Sequence, residues 1–269
     1  MKVTMMNKII LGQYIPGHSF IHRLDPRTKL LISLAFITLI FFANNLLTYF
    51  LLSLFVLIGI LLSKISISYF IRGLRPLLFL ILFTTSFQIL FTHGEHILWQ
   101  WGWLTISREG LWQALLILLR FILIIFMSTL MTLTTQPLSI ADGLESLLKP
   151  LKKLNFPVHE MALILSIALR FVPTLMEETD KIMNAQKARG VEFGKGNLKE
   201  QMKAIVPLLI PLFISSINRA EDLAIAMTSR GYKSGDGRTR YRIIAYQKED
   251  AYVAGVFTLL VCSIFFFRY

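Results

Sequence analysis

The sequence predicts an all-α protein, a polytopic membrane helix bundle of about five spans with long charged helices on one membrane face. Three observations predict it. Of 269 residues, 55% are hydrophobic and only 16% charged, against about 45–50% and 25% in soluble domains. Apolar runs near spanning length recur along the chain. The remaining charge is concentrated in one segment, 136–250, which holds 17 Lys and Arg and 13 Asp and Glu. This divides the chain into 1–135 with four spans, 136–250 outside the hydrocarbon, and 251–269 with a last span.

The elements follow in order. Met1–Thr28 is polar and lacks an apolar core long enough for a cleavable signal peptide. Leu30–Ala43 is the first span. Asn44-Asn45 makes a tight turn into the second, Leu46–Ser63. Pro76–Thr92 is the third, and Leu111–Thr135, broken by Arg120, the fourth. Tyr252–Phe267 is the last. Lys2, Lys8, Arg23, Arg27 and Lys29 precede the first span, and Lys64, Arg72 and Arg75 lie between the second and third. The opposite loops carry only Arg108. Because Lys and Arg favour cytoplasmic loops, this places the N-terminus in the cytoplasm of a multi-pass plasma-membrane protein. The net charge of +12 is thereby a topology signal and does not imply nucleic acid. The single cysteine, Cys262, excludes a disulfide framework and a Cys-based metal site.

Within 136–250, Leu138–Leu154 predicts an amphipathic helix with Leu144, Leu147, Leu148 and Leu151 on one stripe, capped by Ser139. A second helix runs from Pro157 to Arg189 and a third from about Leu198 to Arg230. Each starts apolar and finishes polar. Their apolar halves, Met161–Met176 with Arg170 and Pro173 and Ala204–Ile217 with Pro207 and Pro211, are short of spanning length, so they are read as lying along or dipping into the cytoplasmic face, with six or seven spans as the alternative.

The two helices end alike. Ala188-Arg189-Gly190 is followed by Gly194-Lys195-Gly196, and Ser229-Arg230-Gly231 by Gly235-Asp236-Gly237. Each glycine stands where a C-terminal capping glycine falls. An arginine there stabilises its own helix by about 0.3–1 kcal/mol. Two copies flanked by small residues point further, to docking of a guanidinium on a partner.

Other chemistry is missing. The first tail resembles a phosphate loop but has Arg189 where glycine and Gly196 where a hydroxyl is needed. His93 and His96 are too few for a metal site, and His22 and His159 are read as hydrogen-bonded structural residues. The spans hold no Asp or Glu, unlike a proton-relay transporter. Arg120, deep in its span, is a functional or interior structural residue; Arg170 interrupts an apolar run in the same way.

Gly12-Gln13-Tyr14, Ser19 to Lys29 (Ser-Phe-Ile-His-Arg-Leu-Asp-Pro-Arg-Thr-Lys), Thr134-Thr135-Gln136-Pro137, Ala168 to Pro173 and the two Arg-Gly tips together resemble the transmembrane T component of energy-coupling factor transporters, ATP-driven ABC-type importers of vitamins and other micronutrients. The resemblance covers nearly the whole chain. It implies that the long helices are coupling helices, and that Ala188, Arg189 and Gly190 dock one ABC-type ATPase subunit while Ser229, Arg230 and Gly231 dock another. It implies a third partner, a membrane S component that binds the substrate and therefore decides what is imported. ATP is bound by the ATPases, so this chain needs no cofactor and is not an enzyme. A self-contained secondary transporter is the alternative. It would show broken, inverted-repeat spans and intramembrane acids.

Overall fold

The computed structural model describes residues 14–92, 96–101, 104–150, 157–194, 197–232 and 245–267. The fold is all-α with one short hairpin. The helices are α1 (Phe20–Arg23), α2 (Pro26–Leu39), α3 (Leu46–Ser63), α4 (Ile67–Leu74), α5 (Leu78–Phe91), α6 (Arg108–Thr134), α7 (Pro137–Leu148), α8 (Val158–Ala188), α9 (Leu198–Ser229) and α10 (Lys248–Phe266). The chain forms two compact units, 1–147 with 244–269, and 148–243.

In the first unit, side chains of α2, α3, α4, α6 and α10 form one apolar core around Phe36, Ile40, Tyr49, Leu52, Val56, Phe70, Leu130 and Ile264. The outward faces stay apolar: Phe50, Leu61, Phe79 and Leu259 are all exposed. That combination suits a bundle whose solvent is lipid, where an apolar exterior costs nothing.

Among the described residues, five helical stretches are long and apolar enough to cross a membrane: Leu46–Ser63, Ile67–Phe91, Arg108–Thr134, Lys199–Ser229 and Lys248–Phe266. The number equals the expected one, but the membership differs. The expected first span is α2 followed by a 3-10 turn, Ile40–Phe42, a rod of about 25 Å that is a little short of a 30 Å core. The expected third span begins earlier, because Pro76 is taken into a 3-10 turn, Arg75–Leu77, that joins α4 to α5. Pro at the start of a turn loses no hydrogen bond that the turn needs. The added stretch is α9, where the prolines leave one continuous helix.

Two smaller expectations change. The stretch after Thr92 contains an antiparallel hairpin, β1 (Ile97–Trp101) and β2 (Leu104–Ser107). Ser107 ends it by donating to the Thr92 carbonyl at 2.9 Å while capping α6 at Gly110 N–H, 3.0 Å. Second, α7 starts at Pro137, so Ser139 lies inside its first turn and is not its cap; the Gln136 carbonyl accepts the first helical bond from Ile140. Proline is well suited to that first position. The expected helix end, 151–154, lies outside the described residues, as do His93, Lys195, Gly196, Gly235, Asp236 and Gly237.

Candidate functional site: two arginine-bearing helix ends

Each tip is built by the way its helix stops. In α8, Arg189 is the C-cap (φ −84°, ψ 4°) and Gly190 follows at φ +90°. Gly190 N–H donates to the Lys187 carbonyl, and Val191 N–H to the Gln186 carbonyl, both at 3.0 Å. In α9, Arg230 is the C-cap (φ −85°, ψ 11°) and Gly231 lies at φ +70°. Gly231 N–H donates to Thr228 and Tyr232 N–H to Met227, both at 2.9 Å. The two ends agree bond for bond as Schellman motifs. A Cβ on either glycine would meet nothing within 4 Å, so glycine is required by the backbone angle, which costs another residue about 1–2 kcal/mol.

Ala188, Arg189, Gly190, Ser229, Arg230 and Gly231 are all exposed. Among the described residues, neither guanidinium has a hydrogen-bond or ion-pair partner. Ser229 turns its hydroxyl back onto the Ala226 carbonyl at 3.1 Å, so outwardly it presents little more than the methyl of Ala188.

The helices behind the tips pack antiparallel. Phe171 faces Arg219, with the guanidinium 5.8 Å from the ring centroid. Glu178 accepts from Ser215 Oγ and, at 3.1 Å, from Arg219. Gln186 Nε2 reaches the Pro207 carbonyl at 3.3 Å. From the Glu178 contact, Arg189 lies about 16 Å along one helix and Arg230 about 20 Å along the other, in opposite directions. The tips thus occupy opposite ends of one helix pair. On α9 the apolar side chains of Met202, Leu209, Ile210 and Phe213 are exposed. Arg170 lies exposed on α8.

Arg120 belongs to the other unit. Its Nε donates to the buried Tyr49 hydroxyl at 3.1 Å, and its guanidinium sits 5.2 Å from the Phe41 centroid. Arg120 is thus half-buried, with a hydroxyl and an aromatic ring as its partners.

Sequence reasoning missed a buried polar knot. Lys29, counted only as an orienting charge, is 7% exposed. Its ammonium donates to the carbonyls of Thr134 at 3.0 Å and His22 at 3.4 Å. Burial pulls its pKa down to about 8, against the opposing influence of Asp250 and Asp25. Asp250 accepts from Asp25 N–H at 2.9 Å and from Gln247 N–H at 2.8 Å. His22 bonds the Ser19 hydroxyl at 2.6 Å and the Ile15 carbonyl at 3.0 Å; its pKa is lowered, chiefly by burial. The Ser19-to-Lys29 motif therefore ties α1 and α2 to the end of α6 and the start of α10. The missed signal was its spacing: three polar groups at 22, 25 and 29 beside an apolar run.

Comparison with known proteins agrees with this architecture. Residues 17–241 match the family CbiQ, described as cobalt transport protein. The chain is 57% identical to the energy-coupling factor transporter transmembrane protein EcfT of Lactococcus lactis subsp. cremoris over 259 residues, 96% of this chain and 95% of the relative. It is 58% identical to that of Lacticaseibacillus paracasei over 250 residues, covering 93% and 95%. It is 51% identical to that of Bacillus subtilis over 264 residues, covering 98% and 100%. With a multi-pass helical bundle and matches along nearly its full length, the chain belongs to the family of transmembrane proteins of energy-coupling factor transporters.

Proposed function

We propose that this chain is the scaffold and coupling subunit of such a transporter, joining two ABC-type ATPases to a substrate-binding S component. The chain itself hydrolyses nothing; it needs no cofactor, and ATP is handled by its partners. Residues 136–250 are its cytoplasmic coupling region, between four spans in 1–135 and a last span in 251–269. The N-terminus is cytoplasmic. Ala188, Arg189 and Gly190 dock one ATPase, and Ser229, Arg230 and Gly231 the other.

The observation that carries this reading is the pair of matched helix ends at opposite ends of an antiparallel pair. Set upright across a bilayer, such a pair would present its tips on opposite sides. Lying along the membrane surface, it presents both to one compartment, spaced for two bodies. The polar half of α8, with Glu177, Glu178, Asp180 and Lys181, favours the surface position, since charges in hydrocarbon cost about 2.5–3.5 kcal/mol each. That outweighs the apolar length of α9. The exposed apolar face of α9 then remains for a membrane partner, the S component.

Pull-down of the intact chain from its own membranes tests the reading. The two ATPases and an S component should stay bound, and the ATPases should be lost from the chain carrying both Arg189→Ala and Arg230→Ala. Unchanged retention together with normal uptake would reject the docking assignment.

A further inference from the structure

An antiparallel helix pair with mainly apolar contacts is free to slide, because apolar attraction is non-directional. Yet the two tips work as a pair only at a set separation. Polar contacts between α8 and α9 supply fixed points. Pro211 has no N–H, so the carbonyl four residues back, at Pro207, has no helical donor; Gln186 from α8 fills that vacancy at 3.3 Å. About two helical turns away, Glu178 bridges Ser215 and Arg219, which stand four apart on one face of α9. Phe171 covers the Arg219 guanidinium from the α8 side. Glu178 and Arg219 are both partly shielded, 23% and 36% exposed, and directional polar contacts between paired helices are well suited to specifying register.

We propose that Glu178 is a positioning residue: through Ser215 and Arg219, with Gln186 on Pro207 as the second point, it locks the register of α8 on α9 and thereby the distance between Arg189 and Arg230. A slip of one turn moves each helix about 5.4 Å along the other. It would part Gln186 from the Pro207 carbonyl and shift both tips relative to whatever they grip. The device sits in neither tip, so it governs transmission of force without contacting a partner. This rests on the reading of the tips as ATPase-docking points.

The test uses the assembled transporter reconstituted in proteoliposomes. Cys262 is changed to Ser, spin labels are placed at Asn184→Cys and Ala224→Cys, and the label-to-label distance distribution is measured by pulsed electron resonance. Glu178→Gln should broaden or shift that distribution. It should also lower vitamin uptake per ATP hydrolysed, measured with a radiolabelled vitamin matched to the co-expressed S component, by about threefold or more, while the ATPases still co-purify. The exchanged pair, Glu178→Arg with Arg219→Glu, should restore both readouts. An unchanged distribution with normal coupling in Glu178→Gln would overturn the proposal. So would lost coupling that the exchanged pair leaves unrepaired with distances unaltered. Retention of the ATPases by the Arg189→Ala, Arg230→Ala variant measured alongside would instead overturn the docking reading, whatever the distances show.

Discussion

At Arg189 and Arg230 the terminal carbonyls of α8 and α9 are already bonded by Gly190, Val191, Gly231 and Tyr232. Neither guanidinium is needed to cap its own helix. What remains for it is the helix dipole, a few tenths of a kcal/mol, or an acceptor outside the chain. Replacing either arginine by alanine should therefore leave the thermal stability of the isolated chain nearly unchanged while weakening ATPase binding by about 2 kcal/mol or more, as truncation of an interface anchor does; titration calorimetry or co-purification at graded ATPase concentration checks it. Gly190→Ala and Gly231→Ala act differently. Each forces an L residue into positive φ at about 1–2 kcal/mol, so the helix end unwinds and the neighbouring arginine is misplaced. Loss of ATPase retention with Arg189 and Arg230 intact is the expected result.

Lys29 makes a second residue-scale prediction. Its folded pKa of about 8 lies below the ordinary 10.5, so the folded state disfavours the charged form. The penalty is fully present below pH 8 and is relieved as pH rises towards 10.5, where the unfolded chain still holds the proton. Stability should climb over that window by up to about 3 kcal/mol. Thermal unfolding in detergent from pH 8 to 10, compared between the native chain and Lys29→Met, should show that rise only in the native chain.

Among the elements, α3 and α6 meet at Gly59, where a Cβ would come within 2.9 Å of Leu130 Cδ2. Small residues allow such close approach of helices in lipid, where packing drives association more than the hydrophobic effect does. Gly59→Leu should push the two helices apart and destabilise the bundle by about 1–3 kcal/mol, read as a lower unfolding midpoint in detergent. In α9, by contrast, Pro207 and Pro211 do not end the helix. Each removes one N–H, and at the Pro207 carbonyl the loss is made good by Gln186. A proline removes a helical donor that neighbouring residues do not replace, and here the replacement donor is 21 residues away.

For the whole molecule, the proposed topology sets the N-terminus, both arginine tips and the start of α10 on one side of the membrane. Membrane-impermeant thiol labelling, in a Cys262→Ser background, of single cysteines at Lys181, Glu221 and Gln247 should mark all three only from the cytoplasmic side. Labelling of Lys181 and Glu221 from opposite sides would mean that the α8–α9 pair crosses the bilayer.

The sequence by itself determined the membrane class, the helices and the two tips. These rest on composition, run length and local capping chemistry, all of which are written in contiguous residues: the paired Arg-Gly ends were legible because a helix stop needs only its own last turn and one glycine. The family resemblance was legible in the same local motifs. Only the tertiary structure decided what depends on residues far apart. The antiparallel pairing that sends Arg189 and Arg230 to opposite ends, the burial of Lys29 against Thr134 beside Asp250, and the Tyr49 partner of Arg120 join positions 71 to 225 apart, or helices whose mutual register is not encoded in either one. Hydropathy sees one helix at a time. It counts Lys29 as a loop charge and α9 as an apolar run, and the neighbours that give each its role enter only when the chain folds back on itself.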